Sequence, residues 1–187
     1  MKVVIISNHL YSIGNNAFFE CSNLISITIP DNATTIGNLA FTSCGRLTTL
    51  LYNKHIFAYM PEIYSGAHLI PNGIKIIAGG AFLRCGRLTS IIIPNITTDI
   101  KYAAFNNRTT LESIQIPNSV KYVEELGFAG CNSLITPLYN KNIFFYIPKS
   151  YSGTYTLTTG IKEIASAAFL QCDKLTCVVL PNSIFQI

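Results

Sequence analysis

The 187-residue sequence predicts a single solenoid, one stack of ~23-residue units with a parallel β-sheet along one wall. Three observations predict it. Ala-Phe dipeptides recur at Ala17-Phe18, Ala40-Phe41, Ala81-Phe82, Ala104-Phe105 and Ala168-Phe169, with Gly127-Phe128 as a variant, in steps of 23, 41, 23, 23 and 41 residues. Each long step is 23 plus 18, and the added residues repeat as well. Tyr52-Asn53-Lys54, Ile56-Phe57, Tyr59, Pro61 and Tyr64-Ser65-Gly66 return 87 residues later as Tyr139-Asn140-Lys141, Ile143-Phe144, Tyr146, Pro148 and Tyr151-Ser152-Gly153. Finally, six units of 23, two insertions of 18 and a last 13 residues account for the whole chain. Such self-similarity marks a fold in which each unit buries its apolar face against its neighbours. The domain is therefore 1–187, with units starting near 1, 24, 47, 88, 111, 134 and 175 and insertions near 53–70 and 140–157.

Within the unit that runs from Ser7 to Pro30, Leu10, Ile13, Ala17-Phe18, Cys21 and Leu24 are three or four residues apart. That spacing predicts a short helical or 3₁₀ turn on the wall opposite the strands. At Leu24 the period drops to two, with Ser26 and Thr28 outward and Ile27 and Ile29 inward, which predicts a short strand. Pro30 ends it, because proline has no N–H to give a ladder. Gly14 and Gly37 follow the isoleucine column and predict a tight turn there. The six column phenylalanines should form one inward aromatic ladder.

About half of the residues are apolar and 12% are charged, which excludes a disordered chain. The thirteen Lys and Arg are scattered, with a net charge of +4, and a nucleic-acid binder would gather them on one face. No apolar run approaches the ~20 residues that span a bilayer. Met1-Lys2-Val3-Val4-Ile5-Ile6 aligns with a repeat strand and lacks a signal-peptide cleavage site. Neither end shows a polar cap, so the chain reads as a segment of a longer protein. Five of the six cysteines (Cys21, Cys44, Cys85, Cys131, Cys172) share one column, with Arg108 as its exception. An inward column of this kind predicts free, buried thiols.

Two sets of residues are candidates for ligand contact. The first is the outward strand face: Ser26 and Thr28, Thr49 and Leu51, Ser90 and Ile92, Ser113 and Gln115, Thr136 and Leu138, Cys177 and Val179. Solenoid sheets present such faces as extended recognition surfaces. The second lies in the insertions, where Leu50-Leu51-Tyr52, Asn53-Lys54-His55 and Ile56-Phe57-Ala58-Tyr59 predict a hairpin, with Asn53 and Asn140 in place of the strand-ending proline. Tyr59, Tyr64, Tyr146 and Tyr151 would form two aromatic knobs there, three 23-residue rungs apart, since tyrosine suits sites with one end buried and the other wet. The alternative is that these rings pack on the solenoid edge.

The repeat in Ile77-x-x-x-Ala81-Phe82-x-x-Cys85-x-x-Leu88-Thr89-Ser90-Ile91-x-Ile93-Pro94, with Ile116-Pro117-Asn118-Ser119-Val120, resembles the BspA-like (treponemal-type) leucine-rich repeats. The resemblance covers the whole chain and implies a leucine-rich-repeat solenoid. It also implies a surface-exposed or secreted, adhesin-like protein whose partners are proteins, host extracellular-matrix proteins among them, or glycans. It carries over no binding residue.

Catalysis finds no support. His9, His55 and His68 fall in non-equivalent places and read as surface residues, and Glu124-Glu125 reads as a solvated pair. No cofactor motif is present, and Gly79-Gly80 belongs to the repeat. The sequence therefore predicts a non-enzymatic binding module, with a purely structural spacer as the alternative.

Overall fold

A computed structural model describes residues 1–187 as a β-solenoid of about eight turns. Two parallel ladders run along the stack. One holds the strands Val3–Val4, Ser26–Ile27, Ser65–Leu69, Arg87–Ile92, Ser113–Gln115, Gly153–Thr156 and Leu175–Val179. The other holds Ser12–Ile13, Thr35–Ile36, Ile56–Tyr59, Ile76–Ile77, Asp99–Ile100, Tyr122–Val123, Ile143–Tyr146 and Glu163–Ile164. Sequence alternation predicts only the first. The second consists of pairs such as Thr35–Ile36, too short to leave a period-two signature.

Within both ladders the usual register step is the repeat length: Ser90 pairs with Ser113, and Ile77 with Ile100. Each inward side chain thus sits on its own copy in the next turn, which makes one apolar column self-consistent along the stack.

The opposite wall contains turns and no helix, a correction to the helical expectation. Its cause is a left-handed residue at two fixed columns. Asn16, Leu39, Ala103, Leu126 and Ala167 precede the Ala-Phe dipeptide with φ between 53° and 60°. Glu20, Ser43, Arg84, Asn107 and Gln171 follow it with φ between 55° and 67°. A left-handed residue every fourth position turns the N–H groups along the stack rather than back to residue i−4. Asn16, Phe18 and Glu20 donate to the carbonyls of Asn38, Ala40 and Thr42 at 2.8–3.0 Å. Non-glycine residues pay about 1–2 kcal/mol for this conformation, and the bonds between turns offset it. Gly37 answers a different need. A Cβ there would lie 2.3 Å from the Asn15 nitrogen of the turn below, so close approach requires the glycine.

The insertions are turns of the solenoid. Leu51–Tyr52 and Leu138–Tyr139 make the predicted antiparallel hairpins with Ile56–Tyr59 and Ile143–Tyr146. The returning strands then join the second ladder, Phe57 beside Ile77 and Phe144 beside Ile164. After them Ser65–Leu69 and Gly153–Thr156 rejoin the first ladder. The 41-residue step is therefore two shortened turns, and Phe57 and Phe144 stand four turns apart rather than three. Each ladder is thereby broken into three pieces, so the continuous sheet expected along the first wall is interrupted at each hairpin.

The hairpins partition the interior. One buried cluster extends from Ile13 to Ala78, a second from Phe57 to Ala165, and a third from Phe144 to Ala168. Ile56 and Ala58 face the first, Phe57 and Met60 the second; Phe145 faces the second, and Phe144 and Ile147 the third. The single phenylalanine ladder is accordingly three stacks. Phe18 lies on Phe41 at 5.3 Å; Phe57, Phe82, Phe105 and Phe128 follow at 5.0, 4.7 and 5.3 Å; Phe144 lies on Phe169 at 5.4 Å. Two insertion phenylalanines thus join rings that the repeat alone supplies.

All six cysteines are free; in the column Cys44, Cys85 and Cys131 are buried and Cys21 and Cys172 half-buried, while Cys177, outside it, is exposed. The thiols of Cys44, Cys85 and Cys131 donate to the carbonyls of Phe18, Met60 and Phe105 in the preceding turn, each at 3.1 Å. Burial raises Cys44 to about 11 and both Cys85 and Cys131 to about 12, which keeps them protonated as donors. No helix is long and apolar enough to cross a membrane.

Candidate functional site

The outward strand residues separate into patches. Ser26 and Thr28 are exposed near the start, and Thr49 is exposed beside the first hairpin. Ser90, Ile92, Ser113 and Gln115 lie together on the central three-strand ladder, where the Ser90 and Ser113 hydroxyls are 3.0 Å apart. Thr136 is exposed by the second hairpin, and Cys177 and Val179 are exposed on the last strand. Leu51 and Leu138 belong to none of these patches, because both are buried. A register shift at each hairpin, between Leu51 and Tyr52 and between Leu138 and Tyr139, reverses the pleat. A one-residue slip exchanges the two faces of a strand. The leucine turns in, and Tyr52 and Tyr139 turn out, 46% and 47% exposed.

The insertion knobs are also corrected. Tyr59 and Tyr146 are buried, and their hydroxyls donate to the carbonyls of Cys44 at 3.3 Å and Cys131 at 3.0 Å. Tyr59 belongs to the first core cluster and Tyr146 to the second, and burial raises both phenols, Tyr146 to about 12. Tyr64 and Tyr151 are half-buried, packed against the second and third core clusters. The edge-packing alternative therefore describes Tyr59 and Tyr146.

Among ionisable groups, His68 is not on the surface. It occupies the inward isoleucine column beside Ile91, 6.4 Å from the Phe57 ring and edge-on to Tyr64 at 5.8 Å. Its buried Nε2 has no partner, and burial lowers the imidazole below its ordinary 6.5. The folded chain thus prefers the neutral ring, and the unfolded chain takes up the proton at higher pH. Stability is then lost as pH falls through 6.5 and levels off below the folded value. The melting temperature is expected to drop over that window. His68→Tyr, which installs the residue of the equivalent Tyr155, should flatten that part of the profile. An unchanged slope in the variant would refute the assignment.

Glu124 departs from the solvated pair. Its carboxylate accepts the Tyr102 N–H at 3.0 Å and joins Asp99 around Lys101, at 3.1 and 3.2 Å. Burial alone would lower the Lys101 ammonium, but hydrogen bonds and charge from Glu124 and Asp99 raise it overall. Arg108 replaces the column cysteine, buried, with Nε donating to the Asn106 carbonyl at 3.1 Å. These are structural contacts, and no three His, Cys, Asp or Glu side chains come together in a way that could hold a metal ion.

A feature the sequence reading missed lies at the corner after the Ile-Pro strand ends. A groove of about 420 Å³ runs there, lined by Asn95, Ile116, Pro117, Asn118, Tyr139 and Lys141 together with Thr158 and Thr159. Its only sequence signal is Pro-Asn in one column, at Pro71-Asn72, Pro94-Asn95 and Pro117-Asn118, which reads as ordinary turn chemistry.

The stacked columns just described coincide with a family of known repeat. The model of the BspA type leucine rich repeat region matches residues 1–72 and 54–158, in six copies. The chain belongs to that family. Against curated proteins the sequence finds no match. Among solved structures it is similar to a leucine rich cell surface protein of Faecalibacterium prausnitzii, at 23% identity and a TM-score of 0.60, over 98% of this chain and 60% of that one. A leucine-rich repeat protein of Eubacterium ventriosum is 21% identical with a TM-score of 0.63, over 98% of this chain and 55% of that one. The pneumococcal vaccine antigen PcpA is 18% identical with a TM-score of 0.52, over 95% of this chain and 46% of that one. This BspA-type chain thus spans under two thirds of each relative, and at these identities the likeness concerns the fold.

Proposed function

We propose that this BspA-type repeat chain is a non-enzymatic recognition module for protein or glycan, acting at the cell surface or in secreted form. One observation carries the reading. The central three-strand ladder presents an uncovered outward face on which Leu69 and Ile92 are 59% and 42% exposed, held rigid by the stack beneath. The middle strand, Arg87–Ile92, is paired on both sides, and aliphatic side chains beside Ser90, Ser113 and Gln115 suit a mixed apolar and polar contact. The name of the similar Faecalibacterium prausnitzii protein, a leucine rich cell surface protein, supports a surface setting.

The test is plasmon resonance with the full chain immobilised and fibronectin, fibrinogen or laminin in solution. Binding should survive raised salt, because apolar contacts are not screened as surface charges are. Leu69→Asp with Ile92→Asp should weaken it about tenfold or more with an unchanged melting temperature, the loss expected of central contacts. If the chain binds no matrix protein and no glycan, the spacer reading replaces this one.

A further inference from the structure

We propose that the corner groove beside Tyr139 is a binding site for an extended, uncharged glycan chain. This deepens the recognition reading above and rests on it.

The groove has the chemistry of a sugar site. Asn95, Thr158 and Thr159 are exposed and their side chains make no hydrogen bond within the protein. The Asn118 carbonyl Oδ1 accepts the Lys141 N–H at 3.0 Å, which fixes the amide and leaves its Nδ2 donors unspent. Unspent amide and hydroxyl groups both donate and accept, as sugar hydroxyls require. Ile116, Pro117 and Ile161 supply an apolar floor, and the turned-out Tyr139 supplies an aromatic wall for the C–H face of a pyranose ring. No carboxylate lines it and Lys141 is its one charge, so a neutral ligand meets no uncompensated partner.

Its shape favours a chain over a single sugar. A neighbouring groove of similar size, reaching Leu69 and Asn72, shares Asn95, Ile116 and Pro117 with the first. Together they follow one corner across five successive turns, from Asn72 through Asn95, Asn118 and Lys141 to Thr159. At the ~4.8 Å spacing of stacked strands, that is roughly 19 Å, the reach of a short oligosaccharide. The repeat sets similar side chains at a regular interval, which matches a polymer of regular rings. A charged peptide would be held by paired charge, and the groove offers a single lysine and no carboxylate.

The slip that turns Tyr139 outward is shared by the first hairpin, so Tyr52 is an internal control. It is equally exposed, but Asp31 stands where the groove has Asn118.

The experiment uses the full chain, titrated calorimetrically with cellohexaose, chitohexaose and maltohexaose, with saturation-transfer NMR to detect weak binding. At least one hexasaccharide is expected to bind at millimolar affinity or better. Tyr139→Ser should weaken that binding about tenfold, as for loss of one anchoring contact. Asn95→Ala, at an exposed residue without internal bonds, should weaken it several-fold with an unchanged melting temperature. Tyr52→Ser should leave it unchanged. Absence of binding by all three sugars, survival of binding in both groove variants, or an equal loss in Tyr52→Ser would overturn the proposal. If matrix proteins bind by plasmon resonance and the sugars do not, the groove assignment fails and the recognition reading stands. If Tyr139→Ser abolishes binding of a matrix protein alone, the groove is a protein site and the glycan assignment is wrong.

Discussion

Phe105→Ala is expected to lower the free energy of unfolding by about 3–5 kcal/mol, the cost of a large aromatic deleted from a rigid core. Phe105 is fully buried inside the longest aromatic stack, 4.7 Å from Phe82 and 5.3 Å from Phe128, with interplanar angles of 20° and 3°. Ordered turns above and below limit collapse into the space, because their backbones are tied by the Phe82 N–H to the Ala104 carbonyl and the Phe105 N–H to the Gly127 carbonyl. The Cys131 thiol, which donates to the Phe105 carbonyl at 3.1 Å, should survive the change, so the loss reports packing. Phe18→Ala provides the contrast. That ring is half-buried, in a stack of two, and should cost clearly less. Urea unfolding followed by circular dichroism measures both. Equal losses at the two positions would mean that stack length and burial do not govern stability.

The repeat is why so much of the fold is legible. A single cysteine or phenylalanine says little about its surroundings, but five cysteines in one column describe the same environment five times. The Cys44, Cys85 and Cys131 thiols do occupy equivalent places. The errors occur where one pattern admits two backbones. Residues three and four apart describe a helix, and equally a turn whose fourth residue is left-handed; Glu20 and Arg84 give no warning of a positive φ. In Leu50-Leu51-Tyr52 every residue is apolar, so nothing reveals the pleat reversal that buries Leu51 and exposes Tyr52. Tyr59 suits either a wet rim or a core with one carbonyl to receive its hydroxyl, and the Cys44 carbonyl provides the latter. Of the strand-face candidates, Ser90, Ile92, Ser113 and Gln115 were legible because they alternate cleanly. The groove was not, since asparagine after proline is what any turn would carry.

Asn53→Ala is expected to cost about 3 kcal/mol or more, from buried groups left unsatisfied at about 1–3 kcal/mol each. The buried Asn53 amide is the joint on which the first hairpin turns. Its Nδ2 donates to the carbonyls of Pro30 at 3.1 Å and Ala33 at 2.8 Å in the turn below. Its Oδ1 accepts the N–H groups of His55 at 3.0 Å and Ile56 at 2.8 Å. Four backbone groups therefore lose a partner together, and the partition between two core clusters loses its anchor. Asn140 repeats the arrangement, with Val120 at 2.9 Å and the N–H groups of Asn142 and Ile143 both at 2.9 Å, so Asn140→Ala should cost a similar amount. Asn53→Asp separates bonding from packing. It keeps the size and the acceptor but sets a carboxylate oxygen against two carbonyls, and should destabilise as well. Amide hydrogen exchange at Ile56 should accelerate in Asn53→Ala, because that N–H loses its only side-chain acceptor. A loss under about 1 kcal/mol, within the range of an ordinary surface substitution, together with unchanged exchange at Ile56, would show that the hairpin is held by its apolar faces alone.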